Sequence, residues 1–123
     1  VTGTVRYMAP ERFAGESNQT SDLYSLGLTL YELSSRQPAF TSEDRGTLIE
    51  AIAQGNLTPL TTVDRSIPLN LALIIGKACS PNAADRYQSA SDFGSDLEQF
   101  INDQPVSVKP QPTRMNRWIP WRS

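Results

Sequence analysis

Residues 22–34 read DLYSLGLTLYELS. Its leucine and tyrosine side chains lie around most of a helical wheel, whereas a surface helix would carry them along one stripe. A helix of this kind needs neighbours on several sides if its apolar surface is to leave water. The sequence therefore predicts a buried central helix around which the rest of the chain packs.

Two further helices are expected after the central one. Thr41 or Ser42, with acidic residues directly behind it, gives the cap and acidic first turn of the second helix, which should stop at Gly55. The third should begin near Pro68, because proline suits the first turn of a helix, and run towards Cys79. Both carry several aliphatic side chains and so contribute to the same core.

A fourth helix is expected after Ser89, which stands three residues before Asp92, as in a capping box. Its apolar stripe consists of Phe93, Leu97, Phe100 and Ile101. The first 21 residues have no sustained period and are predicted to be loop, with one short helical turn after Pro10. The predicted fold class is mainly α.

Composition narrows the class of protein. The 123 residues carry a formal net charge of −2 and contain one cysteine, Cys79, and no histidine. An internal disulfide is therefore excluded, and Cys79 has no second cysteine and no histidine as a partner for a metal site. No apolar run reaches about 18 residues and no secretory leader is present, so we expect a protein of the reducing cytoplasm.

The chain divides by composition into a body, residues 1–102, and a tail, residues 103–123. The tail holds four prolines and, from residue 104 on, only basic charged residues, which predicts an extended linker. A solvated, disordered tail is one interpretation. Arginines interleaved with Trp118 and Trp121 also suit an anionic membrane surface, to which sequence beyond residue 123 would tether the protein. Nucleic acid is not expected as a partner, because the body is acidic.

Residues 3–11 read GTVRYMAPE, and the central helix follows them after a polar loop. This order resembles protein kinases of the serine/threonine type, bacterial ones in particular, from the end of the activation loop onward. The resemblance covers roughly residues 1–102 and implies the helical C-lobe portion of the bilobal kinase fold. It also implies transfer of the ATP γ-phosphoryl group, with Mg²⁺, to serine and threonine hydroxyls of protein substrates.

In kinases, the motifs that carry the chemistry precede the Ala-Pro-Glu triplet. They are the Gly-rich loop, the phosphate-pairing lysine, the catalytic loop and the Asp-Phe-Gly metal site. Only eight residues precede Ala9 in this chain. We therefore expect a C-terminal kinase fragment that lacks the N-lobe and catalytic loop and is inactive by itself.

The resemblance also places Glu11 and Arg86 in a buried ion pair. A carboxylate buried beneath a substrate-binding loop is costly unless a guanidinium neutralises it. The alternative is that the two are separate surface charges, which is the commoner state of either residue type.

Thr4, Glu32 and Asp22 receive roles from the resemblance alone. Thr4 would lie in the loop beside the phosphoacceptor, which favours Ser/Thr specificity; a loop threonine that bonds its own backbone is the alternative. Glu32 would attract a basic substrate residue, or be an exposed glutamate without that role. Asp22 would accept hydrogen bonds from the catalytic loop, or only favour the start of the central helix.

The triplet Asp92-Phe93-Gly94 spells the metal-binding motif of kinases, but it lies downstream of Ala-Pro-Glu and inside the fourth helix. The apolar stripe of that helix requires Phe93. We therefore do not expect it to bind metal.

Two functional classes remain. The first is an active Ser/Thr kinase to which this chain supplies the substrate-side loop and lobe core. The alternative is a pseudokinase or scaffold that binds protein partners without catalysis. A third possibility, an unrelated helical adaptor, would require that the motifs occur in this order by coincidence. In either kinase-like case the central helix should keep a partly uncovered apolar surface, because some of its expected neighbours precede Val1.

Overall fold

The structure is a computed structural model that describes residues 6–16, 18–40 and 44–108. Within these residues it contains five α-helices and two 3-10 turns and no β-strand. The helices are α1 (Gln19–Ser35), α2 (Arg45–Gln54), α3 (Leu60–Val63), α4 (Leu69–Ala78) and α5 (Ala90–Ile101). The 3-10 turns are Pro10–Ala14 and Ala83–Asp85. The predicted mainly α class is confirmed, and α3 is a short helix that the sequence did not predict.

The central helix α1 begins three residues before its predicted start. The side chain of Asn18 accepts hydrogen bonds from the backbone N–H groups of Thr20 and Ser21. In return, the Ser21 hydroxyl accepts a hydrogen bond from the Asn18 N–H group. This reciprocal capping box satisfies donors that the start of a helix leaves unpaired, and so fixes the first turn at Gln19.

α1 is buried on two sides and exposed on a third. One core cluster joins it to α2 and α4 through Tyr24, Leu28, Tyr31, Leu48, Ile52 and Ile75. A second cluster joins it to α4 and α5 through Leu23, Ile74, Ala78, Tyr87 and Phe93. Leu26 and Leu33, by contrast, are 47% and 72% exposed. The strongly uncovered apolar surface of α1 is therefore confined to these two leucines.

α1 and α4 cross closely at Gly27. A β-carbon at this position would lie 2.9 Å from the Cβ atom of Ala78 and 2.9 Å from the Sγ atom of Cys79. Because packed interiors leave no slack for such an overlap, the crossing requires glycine. Cys79 is itself buried, and this burial raises the pKa of its thiol, so it serves as a small apolar side chain.

The ends of α2 differ in part from the prediction. Asp44 caps its start by accepting a hydrogen bond from the Thr47 N–H group at 3.0 Å. The predicted caps, Thr41 and Ser42, lie outside the described residues. An aspartate is as good a cap as either hydroxyl residue and stands immediately before the helix, so the helix begins behind it. At the other end, Gly55 stops α2 with a φ of 70°, as predicted.

The starts of α4 and α5 are close to their predicted positions. Pro68 is the residue before α4 rather than part of its first turn. Ser89 caps α5 by accepting a hydrogen bond from the Asp92 N–H group at 3.0 Å. The expectation that Ile101 belongs to the buried stripe is wrong, since this last residue of α5 is 75% exposed where the helix ends.

Residues 103–108 remain in contact with the helices, although the sequence assigned them to the tail. Val106 and Val108 pack against the second core cluster, and Val108 is 8% exposed. The rest of the tail lies outside the described residues. None of the helices in the described part is both long and apolar enough to cross a lipid bilayer.

Candidate functional site

Glu11 and Arg86 form a two-bond ion pair. Pro10, at the start of a 3-10 turn, places Glu11 in that turn's first residues. The Nη1 and Nη2 atoms of Arg86 donate to the two carboxylate oxygens of Glu11 at 2.7 and 2.9 Å. The Arg86 side chain is fully buried and that of Glu11 is 15% exposed. The planar guanidinium thus matches both carboxylate oxygens, which is the stronger form of such a pair.

Arg86 also contacts two other parts of the chain, α1 and residues 80–81. Its guanidinium lies over the ring of Tyr24, 4.8 Å from the ring centre. It donates further hydrogen bonds to the carbonyl oxygens of Ser80 at 2.7 Å, Pro81 at 3.1 Å and Thr20 at 3.2 Å. A buried cation with this many partners is well satisfied. The pair is therefore a structural tie between the loop, residues 6–16, and the helices that follow, which we call the helical body.

The electrostatics of Glu11 follow from this tie. The hydrogen bonds from Arg86 lower the pKa of the Glu11 carboxyl to about 2, against an ordinary value of 4.5. Burial opposes this shift, while a hydrogen bond from the Ser21 hydroxyl adds to it. Glu11 is therefore ionised across the physiological range.

A second tie joins the loop to α1. The Tyr7 hydroxyl donates to the Glu32 carboxylate at 2.7 Å, and the Ser25 hydroxyl donates to the Tyr7 carbonyl oxygen. The hydrogen bond to Glu32 raises the pKa of Tyr7. Glu32 is half-buried, and one of its carboxylate oxygens accepts the hydrogen bond from Tyr7. The carboxylate can therefore still accept a hydrogen bond from another donor.

The remaining predicted site residues are placed as follows. Thr4 lies outside the described residues. Asp22 is in the first turn of α1 but does not cap it, since Asn18 does. Its side chain is 79% exposed, and one oxygen lies 3.7 Å from the Arg12 guanidinium. The structure thus brings together Glu11 with Arg86 and Glu32 with Tyr7, and leaves Asp22 at the surface.

The residues that the structure describes offer no set of ligands for Mg²⁺. These residues contain no group of three or more histidine, cysteine or acidic side chains that could hold a metal ion. In the Asp92-Phe93-Gly94 triplet, Phe93 is buried and stacks on Tyr87 with ring centres 5.0 Å apart, so the triplet is helix core.

Sequence reasoning missed two residues with central hydrogen bonds, Tyr7 and Asp96. Tyr7 stands in a loop without periodicity, and no pattern pointed to its partner. Asp96 carried a usable signal, because it lies three residues after Phe93 and is therefore next to the apolar stripe of α5. A carboxylate on a buried face requires partners, and the structure supplies three hydrogen bonds to it.

No protein-family model matches the sequence, but several known protein kinases are similar to it. Serine/threonine-protein kinase PknB of Mycobacterium tuberculosis is 31% identical over 106 residues, which are 85% of this chain and 17% of that kinase. Tyrosine-protein kinase MasK of Myxococcus xanthus is 34% identical over 104 residues, 84% of this chain and 16% of that kinase. Probable serine/threonine-protein kinase CPE1738 of Clostridium perfringens is 31% identical over 109 residues, 88% of this chain and 16% of that kinase.

These relatives and the helical fold define the class: the chain belongs to the protein kinase family. It is similar to bacterial members and corresponds to a helical portion of the C-terminal lobe. The chain spans only about one sixth of the length of the relatives it matches.

Proposed function

We propose that this chain is the substrate-side part of a protein serine/threonine kinase that transfers the ATP γ-phosphoryl group to protein hydroxyls. The observation that supports this most strongly is the ion pair between Glu11 and Arg86. It fastens the loop that contains the 3-10 turn of Glu11 to the helices, as a platform for an extended peptide requires. The Tyr7 bond to Glu32 fastens the same loop at a second point.

Glu32 is the proposed contact for a basic substrate residue. Its carboxylate lies beside the loop and is half-buried, so a cation placed there would be less screened than at an open surface. Thr4 is the proposed contact near the phosphoacceptor, and it favours serine and threonine over tyrosine. One relative is named a tyrosine kinase, so acceptor choice needs a direct measurement.

ATP and Mg²⁺ would be bound by a part of the kinase other than these 123 residues. In this proposal the chain positions the protein substrate, and it supplies neither a group for proton transfer nor a metal ligand. The proposed location is the cytoplasm, and the basic, tryptophan-containing tail would lie near an anionic membrane surface.

The acceptor test uses the full-length protein with Mg-ATP and three peptides that differ only in a single serine, threonine or tyrosine acceptor. We expect phosphate on the serine and threonine peptides. Transfer to the tyrosine peptide alone would contradict the specificity. Binding of the peptides without any transfer would favour the pseudokinase or scaffold alternative.

The role of Glu32 has its own test. Glu32→Gln should raise KM by about fivefold to tenfold for a peptide with a basic residue near the acceptor, while kcat changes little. Glu50→Gln is the matched control, because Glu50 is exposed on α2. An unchanged KM in Glu32→Gln would remove Glu32 from the substrate site.

A further inference from the structure

The segment after α5 folds back onto the body. Asp103, the second residue after the end of α5, adopts a left-handed conformation with a φ of 58°. The Asp103 and Gln104 N–H groups donate to the carbonyl oxygens of Phe100 and Gln99, which closes the turn. The chain then runs without helix or strand to Val108, which is buried in the second core cluster. We call residues 103–108 the return segment.

One buried carboxylate holds the return segment. Asp96, on α5, is 4% exposed. It accepts hydrogen bonds from the Tyr87 hydroxyl at 2.8 Å, the Ser107 backbone N–H at 2.9 Å and the Ser107 hydroxyl at 2.8 Å. Two of these three bonds come from Ser107, so this serine supplies most of the hydrogen bonds that tie the end of the segment to Asp96.

Asp96 is an ionised acceptor. Burial alone would raise its pKa, but the hydrogen bonds from Ser107 and from the Tyr87 hydroxyl outweigh burial and lower the pKa of this carboxyl. An ionised carboxylate offers only acceptors, so whatever faces it must donate. A group without a donor at Ser107 would leave a buried negative charge with fewer partners.

Ser107 is also accessible. Its residue is exposed, and it lines an open groove of about 310 Å³ together with Lys77, Asp92 and Asp96. The groove's other cation, Arg86, is engaged with Glu11, and Lys77 lies over the Tyr87 ring at 5.0 Å from its centre. The nearest charge to the Ser107 hydroxyl is thus the carboxylate to which it donates.

We propose that Ser107 is a phosphorylation site, and that phosphate on its hydroxyl oxygen releases the return segment from the body. The modification removes the donor and places roughly −1.5 to −2 charges against an ionised, buried carboxylate. Two negative groups at hydrogen-bonding distance repel each other, and water can hydrate the phosphate and the Asp96 carboxylate only when they move apart. Val106 and Val108 then leave the second core cluster together with Ser107.

The chemical step is ordinary phosphoryl transfer. The Ser107 Oγ atom forms a bond to the γ-phosphorus of ATP, the bond between that phosphorus and the oxygen of ADP breaks, and the hydroxyl proton passes to the base of the acting kinase. The acting enzyme is a second copy of the full-length protein, and this part rests on the proposed function. The release itself does not, because it follows from charge and hydrogen bonding alone.

The release is tested in the full-length protein with phosphoserine incorporated at position 107. Hydrogen exchange of the peptide covering residues 103–108 should become about a hundredfold faster or more. Ser107→Ala, which loses one bond but adds no charge, should accelerate exchange about tenfold, in keeping with a bond to a charged acceptor. Phosphoserine at Ser91, an exposed serine of α5, the helix that carries Asp96, should leave this exchange unchanged. Unchanged or slower exchange with phosphoserine at 107 would overturn the release.

The modification is tested by incubating the full-length protein with Mg-ATP and casein, followed by mass spectrometry of both proteins. Phosphate on casein and on Ser107 is the expected result. Phosphate on casein with Ser107 unmodified would overturn the site while leaving the proposed function intact. Phosphate on neither would overturn the proposed function and, with it, the assignment of the acting enzyme.

Discussion

Arg86 and Glu11 lie 75 residues apart in the sequence and meet in two hydrogen bonds of 2.7 and 2.9 Å. Glu11 comes from a short 3-10 turn whose Phe13 packs against the first core cluster, and Arg86 is buried against Tyr24 and three carbonyl oxygens. The pair therefore adds a charged attachment to the apolar contacts that hold this turn against the helices.

Removing one partner of the pair should be costly. Glu11→Ala should lower the free energy of unfolding of the full-length protein by about 3–5 kcal/mol, because the Arg86 charge is left buried without its counter-ion. Chemical denaturation of Glu11→Ala, Arg86→Ala and the double variant should give a coupling energy of about 0.5–3 kcal/mol. Glu50→Ala and Arg65→Ala, at exposed positions, should each stay within about 0.5 kcal/mol. Additive losses in the first cycle would refute the coupling.

The pair should also make the free energy of unfolding depend on pH in the acidic range. Because the folded-state pKa of Glu11 is lowered from 4.5 to about 2, its stabilising contribution is present above pH 4.5 and is lost as the pH falls through about 2. Urea unfolding measured across this window should show a falling free energy of unfolding. Glu11→Gln should flatten that decline, and an equally steep decline in the variant would assign the acid sensitivity to other groups.

Gly27 should not tolerate a side chain. Gly27→Ala forces a β-carbon to within 2.9 Å of Ala78 and Cys79 and should cost about 1–3 kcal/mol in thermal unfolding of the full-length protein. Gly76→Ala is the matched control, since it lies in α4 and a β-carbon there meets nothing within 4 Å. It should stabilise by up to about 1 kcal/mol through helix propensity. Equal effects at the two glycines would mean that α1 and α4 can separate freely.

The sequence predicted what depends on local chemistry. Ser89 before Asp92 and Gly55 after α2 are helix-end signals that act within one turn, and both are present in the structure. The start of α1 was misplaced because Asn18 and Ser21 cap it jointly, three residues before the apolar pattern becomes continuous. The four-residue helix Leu60–Val63 is too short to show a period.

What the sequence could not predict depends on distant parts of the chain meeting. The bond from Tyr7 to Glu32 and the attachment of Ser107 to Asp96 join segments whose residue types give no sign of each other. The prediction that Glu11 and Arg86 form a pair follows only from the resemblance to kinases. Their separation in sequence offers no local signal.

The exposed leucines of α1 predict self-association of the isolated 123-residue chain. Leu26 and Leu33 lie seven residues apart, on one face of the helix, and are 47% and 72% exposed. Analytical ultracentrifugation should show association that grows with concentration and weakens in the Leu26→Ser, Leu33→Ser double variant. Leu69→Ser, at another exposed leucine, should have a smaller effect. A monomer with a sharp, concentration-independent unfolding transition would contradict this prediction.

We propose that this chain provides the substrate side of a kinase, while the phosphoryl-transfer chemistry lies in another part of the protein. The most direct measurement compares phosphate transfer from radiolabelled Mg-ATP to casein by the full-length protein and by the purified 123-residue chain at equal concentration. We predict transfer by the full-length protein and none above background by the 123-residue chain. Transfer by the 123-residue chain, or its absence from the full-length protein, would contradict the claim.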